Sequence, residues 1–222
     1  MNEKICLSTG WYSNGKPTNK KSAPKMYDSG WFRKWRAFHK TSMLFDATTL
    51  YESNCQYQVH PYLSQAFTAH ALGTKTEYHT RHDWWSSFLF GAMYAYSNNM
   101  HLVYIEQDCL VKGLDKAVEL AIESDKPMFY GYGEYSFQKG WAEHSFVFVK
   151  NTFVDIAISR ILDCKLDREA RPLPEKLFHS MFNDAFTPWP FGYGRKPVAD
   201  WDSPILYKQQ ITPEELVKLG VA

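Results

Sequence analysis

Apolar positions along the chain fall into runs that alternate between strand and helix patterns. Ile5-Cys6-Leu7-Ser8-Thr9-Gly10-Trp11 opens with an apolar run that predicts a first strand entering a Ser-Thr-Gly loop. Residues 42–48 read as a second strand ending in a small polar loop, with Asp46 near that end. Between them, residues 14–29 are rich in Lys, Pro, Ser and Gly and read as an exposed loop. Residues 31–39 read as a short aromatic, basic helix. Residues 81–99 have helical spacing, with Trp84, Phe88, Ala92 and Ala95 on one face. His101-Leu102-Val103-Tyr104-Ile105 predicts a strand buried on both faces.

Residues 114–122 predict the next helix, 127–131 and 145–149 further strands, and 153–163 and 174–182 further helices. Residues 188–202, rich in Pro, Gly and Trp, read as loop. Thr212-Pro213-Glu214-Glu215 has the form of a helix start, with Thr212 as cap, Pro213 at the first helical position and Glu215 completing a capping box. Strands alternate with helices to residue 122 and cluster afterwards. This order predicts an α/β domain whose first part is a mostly parallel sheet. Such sheets bind ligands outside the carboxyl ends of their strands. Ser8-Thr9-Gly10, Asp46 and Glu106 to Asp108 all follow predicted strands and are therefore expected on one rim.

Composition narrows the function classes. A chain of 222 residues with 45% apolar content can bury a substantial core. A formal net charge of +1 argues against a dedicated nucleic-acid binder, which needs a basic excess to neutralise phosphates. Aromatic residues make up 17% of the chain, a content that suits either stacking on sugar rings or an aromatic core. Cys6, Cys55, Cys109 and Cys164 are far apart and show no CxxC spacing, so free thiols in a reducing compartment are expected. No signal-peptide pattern and no apolar stretch of membrane-spanning length is present, which predicts a soluble, cytoplasmic protein.

Chemistry concentrates at Glu106-Gln107-Asp108. In an extended segment, side chains at i and i+2 point the same way, so Glu106 and Asp108 would share one side. Two such carboxylates repel unless a cation lies between them, and Mg²⁺ or Mn²⁺ takes oxygen ligands while keeping places for substrate phosphates. The competing reading is a pair of solvated acids at a strand end. Arg81 can bind phosphate oxygens in a bidentate way, and Asp83 reads as the cap of a helix beginning at Trp84.

Phe90-Gly91-Ala92-Met93-Tyr94-Ala95 followed by Leu102-Val103-Tyr104-Ile105-Glu106-Gln107-Asp108-Cys109-Leu110 resembles glycosyltransferases of the GT-A fold. The resemblance covers roughly residues 5–150 and extends loosely to 210. A fainter similarity is to glycosyltransferase domains of large DNA viruses and bacteriophages, which would place the protein in host cytoplasm. The resemblance implies a single GT-A-like, Rossmann-like domain with a mixed central sheet flanked by helices. Residues 1–125 would form its nucleotide-binding half and 126–222 its acceptor side and C-terminal segment. It implies a DxD-type motif that binds a divalent metal bridging the diphosphate of a nucleotide-sugar. Glu106 stands where the motif has its first Asp, which leaves Asp108 as the firmer metal ligand.

In the same frame Ser8, Thr9 and Gly10 would contact the nucleoside and Asp46 the base or ribose. Arg81 and Gln107 would face the nucleotide and diphosphate. Gly140-Trp141-Ala142-Glu143-His144 resembles the acceptor-side Gly-Trp-x-Glu signature of inverting members. Glu143 is the expected base, since a carboxyl held against a Trp face has a raised pKa. His144 is the alternative. Arg195, in Phe191-Gly192-Tyr193-Gly194-Arg195, would clamp the departing diphosphate. No His follows His179, so a late His metal ligand is missing and water is expected in its place. The expected donor is a UDP-sugar and the expected acceptor a glycan or other hydroxyl. The rival readings are a sugar nucleotidyltransferase and a non-catalytic carbohydrate-binding or assembly module.

Overall fold

A computed structural model describes residues 4–11, 23, 26, 30–39, 45–53, 66–71, 79–133, 141–164, 174–185 and 187–221. The elements are β1 (Ile5–Trp11), α1 (Trp31–His39), β2 (Phe45–Ser53), β3 (Ala66–Ala71), α2 (His79–Ser97), β4 (His101–Ile105), β5 (Cys109–Lys112), α3 (Leu114–Glu123), β6 (Met128–Gly133), β7 (Trp141–Val149), α4 (Asn151–Asp163), α5 (Pro174–Phe182), β8 (Leu206–Gln209) and α6 (Pro213–Lys218).

Six strands form one mixed sheet in the order β3-β2-β1-β4-β7-β6. β3, β2, β1 and β4 run parallel, while β7 is antiparallel to both β4 and β6. The chain moves outward from β1 to β3 and returns to β4 on the other side of β1. The strand order therefore reverses between β1 and β4, the crevice where α/β sheets receive ligands. β5 and β8 pair antiparallel in a separate two-stranded sheet.

Side-chain alternation along the central strands explains the two-layer core. Ile5, Leu7, Val103 and Ile105 pack on one face with residues of α1 and α3. Cys6, Leu102 and Tyr104 pack on the other with residues of α2, α4 and α5. All five residues of β4 are buried, as its unbroken apolar run predicts. On the first face, Trp189 stacks between Phe129 and Phe146, its centroid 4.9 Å and 4.5 Å from theirs. The Thr212 capping box forms as the sequence indicates. Cys6, Cys109 and Cys164 are free thiols, and Cys55 lies outside the described residues. No helix among the described residues is long and apolar enough to cross a membrane.

Several boundaries differ from the sequence expectation. β1 continues through Ser8-Thr9-Gly10 to Trp11, so these three residues are strand and not loop. β2 begins at Phe45, which places Asp46 at the start of its strand, level with the first residues of β1. Asp46 is therefore at the opposite end from the carboxyl rim. The apolar Met43-Leu44-Phe45 run suggests an earlier start, whereas β2 runs from Phe45 to Ser53. α2 begins at His79, so Asp83 lies inside the helix and does not cap it. The strand β7 begins at Trp141, which puts Glu143 within it. The side chains of Asp46, Arg81 and Trp141 lie outside the described residues, as does most of 14–29.

Candidate active site at the end of β4

Beyond Ile105 the chain does not stay extended. Glu106 to Asp108 turn tightly, and the Cys109 N–H donates to the Glu106 carbonyl at 3.0 Å, closing a β-turn into β5. β5 brings in its partner β8, with Cys109 opposite Gln209. The two turn carboxylates converge even though the segment is not extended. The Gln209 Nε2 amide donates to Glu106 Oε2 at 2.5 Å and to Asp108 Oδ1 at 3.5 Å. Gln107 lies between them and points the other way, its amide donating to the Met26 carbonyl at 3.2 Å.

The orientation of Gln209 is set from its far side. Its Oε1 accepts from Arg195 Nε at 2.9 Å, which leaves the amide N–H₂ to face the carboxylates. Arg195 Nε also lies 3.1 Å from Glu143 Oε1, and its second terminal nitrogen lies 3.3 Å from Glu175 Oε1 on α5. His144 Nδ1 is 3.0 Å from Glu106 Oε1. Glu106, Asp108, Glu143, His144, Glu175, Arg195 and Gln209 thus form one network, although they come from distant stretches of sequence.

An irregularity in β7 makes this possible. Tyr130 of β6 stands opposite Val147, but the next residue, Gly131, stands opposite Glu143. His144, Ser145 and Phe146 therefore have no counterpart on β6, and the strand bulges toward the end of β4. There the Glu106 N–H donates to the Ser145 carbonyl at 2.9 Å. Glycines leave room for the carboxylate. A Cβ on Gly131 would lie 2.7 Å from Cβ of Glu143.

Glu143 is 5% exposed. Burial pushes its carboxyl above the ordinary value, and the Arg195 guanidinium pulls part of that back. Burial opposes the charging of His144, but contact with Glu106 outweighs it and raises the imidazole pKa. For Glu175, burial acts upward, while His144 and Arg195 outweigh it and lower the carboxyl. Glu106, Asp108, Glu143 and Glu175 thus meet Arg195 and His144 in one cluster, with Lys208 also close enough to act on Glu143.

Ser8, Thr9 and Gly10 lie beside β4, with Ser8 in register with Tyr104. Ser8 and Thr9 are buried. A Cβ on Gly91 of α2 would lie 2.1 Å from Ser8 Oγ, so the Ser8 hydroxyl packs against α2. The Ser87 and Tyr104 hydroxyls, 2.7 Å apart, lie beside Gly10. Of the sequence-derived candidates, the structure brings together Glu106, Asp108, Glu143, His144 and Arg195. Glu175 and Gln209 join them without having been singled out. Glu175 has the position of an ordinary first-turn acid on α5, and Gln209 is neutral, so neither carried a local signal.

A divalent metal fits part of this arrangement. The Glu106 and Asp108 oxygens converge on the Gln209 amide nitrogen, the place of a donor positive end, and such oxygens suit a hard cation. Among the described residues, no group of three or more His, Cys, Asp and Glu is arranged to hold a metal ion.

The fold is similar to that of the glycosyltransferase GlyE of Streptococcus pneumoniae TIGR4. The TM-score is 0.51 at 11% identity, over 85% of this chain and 45% of that one. It is also similar to the galactosyltransferase LgtC in complex with donor and acceptor sugar analogues. There the TM-score is 0.51 at 9% identity, over 86% of this chain and 75% of that one. The chain spans less than half the length of the GlyE structure. No protein-family model and no curated protein matches the sequence. The chain has a glycosyltransferase fold of GT-A type, with a mixed central sheet between helices.

Proposed function

We propose that the protein is a metal-dependent glycosyltransferase that moves a sugar from a nucleotide-sugar, a UDP-sugar, to an acceptor hydroxyl. The observation that carries this reading is the meeting of Glu106, Asp108, Glu143 and Arg195 beside the β1–β4 crevice of a GT-A-type sheet. LgtC, which shares the fold, was captured with donor and acceptor sugar analogues.

Asp108 and Glu106 would hold Mn²⁺ or Mg²⁺, with Asp108 as the firmer ligand because Glu106 stands where the motif has its shorter Asp. The metal, when bound, supplies charge to offset the departing diphosphate. Ser8, Thr9 and Gly10, on the strand beside β4, are the proposed nucleoside contacts, and Arg81 of α2 is the proposed phosphate contact. Arg195 adds positive charge on the leaving-group side. Glu143 takes the acceptor proton as the hydroxyl oxygen attacks the anomeric carbon. The bond to the diphosphate breaks on the opposite face, so configuration inverts. The convergence of the Glu106 and Asp108 oxygens supports a cation, and the burial of Glu143 supports a carboxyl of raised basicity.

A donor-hydrolysis screen over nucleotide-sugars, run with and without Mn²⁺, tests the reading. Release of UDP from one donor only when Mn²⁺ is present is the expected result. Absence of nucleotide release from every donor, together with no thermal shift by any nucleotide, would turn the reading toward a binding module.

A further inference from the structure

The acidic turn is held in shape from the side opposite its carboxylates, by indole N–H groups of α1. Trp31 Nε1 donates to the Gln107 carbonyl at 2.8 Å. Trp35 Nε1 lies 3.2 Å from the Glu106 carbonyl and 3.2 Å from the Cys109 carbonyl. These two oxygens flank the turn, so a single N–H bridges its mouth. Both rings are buried, at 1% and 0% exposure. One turn further along α1, His39 Nε2 accepts from the Val111 N–H at 3.1 Å, while Nδ1 donates to the Trp35 carbonyl at 2.9 Å. The Gln107 side chain is drawn to the same side by Met26.

Every one of these contacts engages backbone or the middle residue of the triplet. With the Glu106, Gln107 and Cys109 carbonyls and the Gln107 side chain committed to the α1 side, and the Asp108 carbonyl bonded to the Gln210 N–H, the Glu106 and Asp108 carboxylates face β8 and β7. A four-residue turn has several allowed conformations, which aim its side chains differently. A core helix needs no indole donors to pack, and phenylalanine would fill comparable space. The placement of two donors on the carbonyls of one turn is a geometric constraint beyond packing.

We propose that Trp31 and Trp35 are positioning residues that hold Glu106 and Asp108 in metal-binding geometry. The inference rests on the metal reading of those carboxylates. Groups that orient metal ligands without touching the metal contribute about 10–100-fold to affinity.

The experiment titrates Mn²⁺ alone into the full chain and into Trp31→Phe, Trp35→Phe and Trp189→Phe. The third is a matched control, since Trp189 is also buried and donates to a backbone carbonyl, that of Phe146 on β7 at 3.1 Å, and not to a carbonyl of the turn. The inference expects Mn²⁺ to bind about tenfold more weakly to each α1 variant and unchanged to the control. The concentration of Mn²⁺ for half-maximal donor hydrolysis should rise in step, with turnover at saturating Mn²⁺ retained. Should Trp35→Phe fold poorly, the benzothiophene analogue of tryptophan at position 35 keeps the shape and removes only the donor. Unchanged affinity in the α1 variants, or equal weakening in all three, overturns the inference while leaving the metal site standing. A wild-type chain that binds no Mn²⁺ removes the metal reading and this inference with it.

Discussion

Gly194 and Glu143 are pressed so closely together that a Cβ on Gly194 would lie 2.1 Å from Glu143 Oε2. Gly194 also has φ +51°, a backbone region that L side chains enter at a cost of about 1–2 kcal/mol. Its carbonyl accepts from the Gln209 N–H at 2.8 Å, which ties Arg195 and Gln209 into one unit. Gly194→Ala is therefore expected to displace the Glu143 carboxylate and lower the melting temperature. Donor hydrolysis should fall at least about tenfold, because a misplacement of about 1 Å can cost about a hundredfold. Wild-type turnover in this variant would show that the Glu143 position is immaterial.

Glu143→Gln keeps the volume of the side chain and removes its ability to take a proton. A base contributes about 10²–10⁴-fold, so turnover should drop by that order with donor binding retained. Product analysis of the wild type should show inverted anomeric configuration. Near-normal turnover in the variant, or retained configuration in the product, sinks the assignment.

Arg195→Ala leaves buried Glu143 without its guanidinium. Breaking such a pair costs about 3–5 kcal/mol when both groups are buried, and the lower end applies because Arg195 is 23% exposed. The sign with pH follows from the raised Glu143 pKa. A carboxyl whose folded pKa lies above its unfolded value is least costly below the unfolded value, and costs stability as pH rises through the folded one. Loss of Arg195 raises the folded value further, so the destabilisation should be small in acid and grow toward neutral pH. Urea unfolding across that range reads it directly, and a pH-independent loss contradicts it.

His39 is buried and held neutral, its pKa lowered to about 3 chiefly by burial. The unfolded chain binds a proton below the ordinary histidine value of 6.5 and the folded chain does not. Stability is therefore full above 6.5 and falls with acidification toward 3, by up to about 1.4 kcal/mol per pH unit. His39→Gln retains an acceptor for the Val111 N–H, and should flatten that part of the pH dependence in thermal unfolding. An unchanged slope would place the acid sensitivity elsewhere.

Elements with strong periodicity were legible. β4 reads from the four apolar residues after His101, α1 and α3 from helical spacing, and α6 from its capping box. β5 and β8, four residues each, are too short to announce themselves, and they pair only through tertiary contact. Position within an element was harder than its existence. Asp46 falls at the start of β2 and not at its end, and nothing in Phe45-Asp46-Ala47-Thr48 marks a beginning. The acidic triplet, Glu143 and Arg195 were visible as residue types beside turn signals. Glu175 and Gln209 were not, since their roles come from which side chains they meet and not from their neighbours in sequence.

The pairing of β5 with β8 has a bearing on synthesis. Gln209 follows Glu106 by 103 positions, yet closes on it within the same network. A nascent chain exposes the acidic turn long before the strand that covers it has left the ribosome. Until then, Glu106 and Asp108 lack the amide that faces them and Glu143 lacks Arg195. The sheet can assemble first, while the chemistry of the site is completed only once β8 has emerged.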